Sequence, residues 1–184
     1  RQGVKIRLLY DDVGSWKVKN RFFRDMVKEG IEVYPFGEVK FAALTRRVNY
    51  RNHRKLVIVD GQLGYIGGMN IAERYYKGFS WGGWRDTHIR IEGMAVNALQ
   101  TSFFVDWHYA SRMLVDEPVY FPKVERKGDT DMQIVTSYPM GEWKTIMQGL
   151  LQVISQSRRY LYIQTPYFMP TEPILMALRN AAFA

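Results

Sequence analysis

Residues 4–10 alternate apolar and polar positions, with β-branched Val4 and Ile6 at the start, and predict a strand. Asp11-Asp12-Val13-Gly14-Ser15 reads as a turn able to cap the next element. From residue 16 to residue 29 the apolar positions change to helical spacing, at Val18, Phe22, Phe23, Met26 and Val27, and Gly30 marks the stop. Residues 31–36 predict a second strand. A strand, a helix and a strand in this order predict a right-handed crossover in an α/β sheet. Residues 37–52 form an Arg-rich loop, and residues 53–59 a third strand. Asp60-Gly61 is a hairpin-turn dipeptide, after which residues 63–66 return antiparallel, so the predicted sheet is mixed. Residues 75–84 are an aromatic, Gly-containing loop, and residues 85–91 alternate as another strand. Residues 94–113 carry Val96, Leu99, Phe103 and Trp107 on one helical stripe.

Residues 115–131 hold two prolines and mixed charges without periodicity, the pattern of a linker. The pattern then restarts, with a strand at 132–136, a helix at 144–156, a strand at 160–164 and a helix from Glu172 onward. The expected organisation is therefore a first unit at 1–114, a linker at 115–131 and the start of a second unit at 132–184. The chain opens on Arg1-Gln2-Gly3 without a Met and closes inside a helical pattern at 174–184, so both ends read as cut.

A length of 184 residues with 47% apolar composition supports a packed core and argues against disorder. The absence of cysteine rules out disulfides and thiolate metal sites. A net charge of +8 favours anionic partners, among them nucleic acid, phosphorylated metabolites and acidic lipid headgroups, and equally fits a merely basic protein. The chain contains no apolar run of roughly 18 residues and no signal-peptide pattern.

The chemistry concentrates at His53-Arg54-Lys55, Asp60 and Gly67-Gly68-Met69-Asn70, a run that reads H-x-K-x4-D-x6-G-G-x-N. A neutral imidazole, an ammonium and a carboxamide at one point are the groups needed to attack a phosphodiester. On a regular strand His53 and Lys55 share a face and would grip one phosphate. Asp60 has the opposite parity and opens the hairpin turn, so its expected work is to fix the loop. Another carboxylate must then orient the imidazole, and Asp86, on the strand beyond the Gly-Gly-x-Asn loop, is the candidate; an ordinary pairing with Arg85 or Arg90 is the alternative. Gly67 and Gly68 permit close backbone approach, leaving Gly68 and the amide of Asn70 to meet phosphate oxygens. His88 and His108 fit packing or surface roles better than catalysis. Arg46, Arg47, Arg51 and Arg54 are either a solvated face or a basic rim for anionic headgroups. Tyr75, Tyr76, Phe79, Trp81 and Trp84 fit a lipid interface or burial against the sheet. With three histidines and no pair at ligand spacing, a metal site is disfavoured, and no phosphate-binding P-loop is present.

The H-x-K-x4-D run resembles the signature of the phospholipase D superfamily. Trp84-Arg85-Asp86-Thr87-His88-Ile89-Arg90-Ile91-Glu92-Gly93, Leu99-Gln100, Asp106-Trp107 and Tyr162-Ile163-Gln164-Thr165-Pro166-Tyr167-Phe168-Met169-Pro170 are similar to the bacterial cardiolipin synthases of that superfamily. The resemblance covers nearly the whole chain. It implies an α/β phospholipase D-like lobe, with a mixed β-sheet flanked by helices on both faces, whose first strand and helix are missing here. It implies a second lobe whose own H-x-K-x4-D lies past residue 184, meeting the first at a shared site. It also implies catalytic roles for His53, Lys55, Asp60, Asn70 and Asp86, the last holding the nucleophilic imidazole.

The implied reaction is cardiolipin formation from two phosphatidylglycerols through a phosphohistidine, with no cofactor. The implied setting is the cytoplasmic side of a bacterial cell membrane, with an anionic lipid surface as partner and no nucleic acid. The isolated segment would be soluble and, holding half a site, inactive. The alternatives are a homodimeric phosphodiesterase or nuclease of the same superfamily, and a non-catalytic half that binds anionic lipid.

Overall fold

The computed structural model describes residues 3–38, 51–80, 82–138 and 141–183. The chain divides into two compact units, Arg1–Ile134 and Val135–Ala184.

In the first unit, strand β1 (Arg7–Asp11) pairs in parallel with β2 (Glu32–Phe36), Arg7 opposite Glu32 and Asp11 opposite Phe36. Helix α1 (Asn20–Lys28) connects them. It starts four residues later than its apolar spacing predicts. The Asp11 side chain accepts the Gly14 N–H at 2.6 Å, and residues 13–15 tighten into a 3-10 turn. A short polar side chain that bonds the local backbone competes with helix formation in this way. The end falls where Gly30 predicts. The Ile31 N–H donates to Met26 O and the Gly30 N–H to Val27 O, which satisfies the last carbonyls.

Strands β3 (Lys55–Val59), β4 (Leu63–Gly67) and β5 (His88–Glu92) form an antiparallel sheet in that order. Parallel and antiparallel pairing are thus both present, and among the described residues they fall in two sheets rather than one mixed sheet. The β3–β4 turn carries positive φ at Asp60 (54°) and Gly61 (64°), as a type I′ turn demands. Gly61 is also pressed against Pro122 Cδ and Tyr120 O, which a Cβ there would meet at 2.7 Å.

Helix α3 (Ala95–Ser111) joins the two sheets. Its Val96 and Leu99 pack with Ile91, Leu56, Ile58 and Ile66 of the three-stranded sheet. Lower down, Trp107 meets Tyr34 of β2 edge-on at 5.1 Å, and Phe36 faces Tyr109. Tyr10 instead stacks on Phe23 of α1 at 3.9 Å. Tyr10 and Tyr34 stand at positions of opposite parity in the β1–β2 register, so α1 and α3 cover opposite faces of that sheet. The expected helix–sheet–helix layering is therefore met at the parallel pair.

Residues 115–131, read from the sequence as a linker, lie within the first unit, where Gln100 Nε2 donates to Tyr120 O at 3.0 Å. The aromatic stretch expected as a loop begins inside a short helix, α2 (Glu73–Lys77), closed by a Lys77–Glu73 ion pair. The second unit consists of α4 (Thr145–Gln156) packed on α5 (Glu172–Phe183). Residues 132–136 and 160–164 are not strands. Strand propensity expresses a fit to a pleated, half-buried surface. Tyr160, Tyr162 and Ile163 are exposed and find no pairing partner among the described residues.

Candidate active site

Three strands bring one row of residues into line. Lys55 opens β3 opposite Gly67, which closes β4, and Gly67 stands opposite His88, which opens β5. His53, Gly68, Asn70 and Asp86 flank these positions and therefore gather at the same edge of the sheet. Asp60 is not among them. It sits in the turn at the other end of β3, about 16 Å from Lys55 at the ordinary rise of a strand.

His53 precedes β3, so strand parity does not set its direction. Its neighbours leave the ladder because Asn52 Oδ1 accepts the Arg54 N–H at 2.9 Å, a local side-chain bond that replaces strand pairing. Lys55 still reaches back, its Nζ donating to His53 O at 2.7 Å. The imidazole lies on an exposed residue, yet it is desolvated enough to bring its pKa below the ordinary histidine value. The Lys55 ammonium and, more weakly, Arg51 push the same way, while Asp11 opposes them. Lys55 is itself lowered by desolvation, against the pull of Asp11 and Asp86. Desolvation of the ring and the charge of Lys55 both favour a neutral imidazole, the form that can act as a nucleophile.

Asp86 also lies before its strand rather than on it, and its Oδ1 accepts the Thr87 N–H at 2.7 Å. Its carboxylate rests directly on Gly68, where any Cβ would collide with it. The Gly68 N–H donates to Thr87 O at 3.0 Å. The glycine pair is thus required for the close approach of the acidic segment. The charge of Asp86 is felt at Lys55, whereas the carboxylate felt at His53 is that of Asp11. Asn70 Nδ2 donates to the Tyr75 hydroxyl at 2.8 Å, which anchors the carboxamide and leaves one N–H to spare.

The sequence assigns no site role to Asp11, read as part of a turn, to Asn52, or to Asp106, which enters only through the Asp106-Trp107 resemblance. Asp11 ends β1, at the carboxyl end of a parallel strand, where α/β folds place their sites. It accepts Arg51 Nε at 2.7 Å and the Asn52 N–H at 2.9 Å. Asp106, on α3, accepts Asn52 Nδ2 at 2.9 Å and Arg54 Nη1 at 2.6 Å. Burial pushes its carboxyl above the usual carboxylate range despite those partners. The available signal was a carboxylate on the apolar stripe of a helix, beside Trp107. Arg51 and Arg54, read from the sequence as a solvated face or a basic rim, pair with Asp11 and Asp106, Arg51 staying exposed; Arg46 and Arg47 lie outside the described residues.

Tyr75 and Phe79 pack on Trp84, while Tyr76 is exposed; Trp81 lies outside the described residues. His88 Nδ1 is buried with no hydrogen-bond partner among the described residues, and His108 is exposed on α3.

An α/β unit that gathers H-x-K, Gly-Gly-x-Asn and an acidic residue at one sheet edge is a phospholipase D-like domain, and the family described as "Cardiolipin synthase, PLD-like domain" matches residues 1–91. The chain is 45% identical over 187 residues to the major cardiolipin synthase ClsA of Bacillus subtilis (strain 168), 44% identical to a cardiolipin synthase of Listeria welshimeri and 39% identical to one of Geobacillus kaustophilus. All of this chain is covered in each case, and it spans 39%, 39% and 37% of those proteins' own lengths. The chain belongs to the cardiolipin synthase family of phospholipase D-like proteins. No solved structure matches it.

Proposed function

We propose that this chain supplies the nucleophilic half of a phosphatidyltransferase that makes cardiolipin from two phosphatidylglycerols. The observation that carries the reading is His53, an exposed residue whose imidazole is brought below the ordinary pKa by desolvation and by the Lys55 ammonium, which donates to the His53 carbonyl. The names of the relatives support the choice of substrate.

In the proposed reaction a ring nitrogen of His53 attacks the phosphorus of one phosphatidylglycerol. The phosphorus–oxygen bond to glycerol breaks, and an imidazolium on a second H-x-K-x4-D lobe protonates the leaving alkoxide. The hydroxyl of a second phosphatidylglycerol, giving its proton to that same imidazole, then attacks the phosphohistidine. Cardiolipin leaves and His53 is restored. Splitting one displacement into two is what covalent catalysis offers. Lys55, with two N–H bonds beyond the one it gives to His53 O, offsets charge building on the phosphoryl oxygens. The second amide N–H of Asn70 and the backbone at Gly68 do the same. Asp86 holds this basic edge, and through it the His53 ring, in register, while Asp60 serves through the turn. The lobe beginning in residues 132–184 carries the partner imidazole, and the setting is the cytoplasmic face of a bacterial membrane. No helix among the described residues is long and apolar enough to cross one.

Trapping labelled phosphatidylglycerol on the intact protein tests this. An acid-labile adduct should form on wild type and disappear in His53→Ala. An unchanged adduct yield in that variant would remove the mechanism.

A further inference from the structure

Asp106 is a carboxylate where the helix pattern calls for an apolar residue. It is 3% exposed and sits beside Trp107, which is fully buried. A buried ion pair is weak evidence for stability, since apolar residues of similar volume often serve the fold as well. What distinguishes Asp106 is where its bonds go. One oxygen, Oδ2, accepts both Asn52 Nδ2 at 2.9 Å and Arg54 Nη1 at 2.6 Å. These two residues flank His53. Asn52 is held a second time, through its N–H, by Asp11 Oδ2, and a third time through the Arg54 N–H on its own Oδ1. These bonds and the Arg51–Asp11 pair end on residues 51, 52 and 54, and none of them uses a ring nitrogen of His53.

We infer that Asp106 is a positioning residue for His53. From α3 it clamps the residues before and after the nucleophile, with Asp11 as the opposing jaw on β1. The direction of the His53 Cα–Cβ bond is set from both sides, while the ring stays free to bond phosphorus. The jaw is rigid because α3 is anchored twice. Val96 and Leu99 lock it to the three-stranded sheet, and Trp107 locks it to Tyr34 of the parallel pair. Catalytic groups need such support from rigid elements, because displacement of about 1 Å costs on the order of 100-fold in rate. The inference rests on the reading of His53 as nucleophile.

The sign of the Asp106 shift separates this role from simple stabilisation. A carboxyl whose folded pKa is raised above its unfolded value loses stability as pH rises from the unfolded value through the folded one. At neutral pH the buried charge of Asp106 itself costs stability, while its removal takes the counter-charge from Arg54, so the two effects on the fold oppose each other.

The test uses the intact protein with Asp106→Asn and Asn52→Ala. Each should slow phosphohistidine formation by about 10- to 100-fold with KM for phosphatidylglycerol within about twofold and the melting temperature close to wild type. The assigned His53 imidazole resonance should broaden or split in both. Wild-type adduct rates in both variants would overturn the clamp. If Asp106→Asn fails to fold, Asn52→Ala decides in the same way. If wild type forms no adduct, the phosphatidyltransferase reading falls, and the resonance decides the clamp alone: a disturbed His53 signal upholds it, and an unchanged one overturns it.

Discussion

His53 works in a field of three charged neighbours whose signs differ. Lys55 and Arg51 favour the neutral ring and Asp11 favours the charged one, with partial burial adding to the first side. Replacing Asp11 by Asn removes a stabiliser of the imidazolium, so the His53 pKa should move further down. Replacing Lys55 by Met should move it up. An NMR titration of the assigned His53 signal checks both signs, and the reverse order would mean that the local electrostatics have been misread. In the proposed reaction the neutral ring is the nucleophile, so the acid limb of adduct formation in wild type should lie below the ordinary histidine value of 6.5. The residues that tune and hold this group come from three places distant in sequence: β1, the segment leading into β3, and α3.

At the scale of elements, the β3–β4 hairpin sets the register that aligns Lys55, Gly67 and His88. A slip of one residue would send Lys55 to the core side with Leu56 and Ile58. The turn holding that register depends on Gly61, which combines positive φ with contact against Pro122 and Tyr120. Gly61→Ala should cost about 1–3 kcal/mol of stability, from backbone strain and overpacking. Denaturant unfolding measures this, and a midpoint equal to wild type would show that the turn tolerates a Cβ. Lys55 was placed correctly by strand periodicity, but His53 and Asp86 were not, because side-chain bonds from Asn52 and Asp86 itself end the strands earlier than their apolar pattern does. Periodicity reports which face is apolar. It carries no information about a polar side chain that captures the backbone at a strand's end.

For the whole molecule, the informative quantity is the excess of 26 basic over 18 acidic side chains. The Arg51–Asp11 and Arg54–Asp106 pairs set aside two charges of each sign and leave that excess on the remaining side chains. It should draw the protein to phosphatidylglycerol vesicles by long-range attraction. Cosedimentation with such vesicles should weaken steadily as salt rises, because the screening length falls from about 10 Å at 0.1 M to about 3 Å at 1 M. Binding that ignores salt would assign the attachment to apolar contact instead. The exposed Ile71 and Tyr76, close to Asn70 in sequence, are the residues such contact would use.

The sequence by itself determined the class of fold, the first helix stop at Gly30, the hairpin at Asp60-Gly61 and the long apolar stripe of α3, and it singled out His53, Lys55 and Asn70 as candidates. Each of these is written in local order: a period, a turn dipeptide or a fixed motif spacing. The tertiary structure alone decided that the pairing among the described residues divides into two sheets, that residues 132–136 and 160–164 stay unpaired there, that Asp60 stands a strand's length from Lys55, and that Asp11 and Asp106 grip the residues around His53. Those outcomes depend on which distant segments share a face or compete for one hydrogen-bonding atom. No window along the chain contains both partners of the Asp106–Arg54 bond, 52 residues apart. Burial around Trp107 brings them together, and the site takes its geometry from that contact.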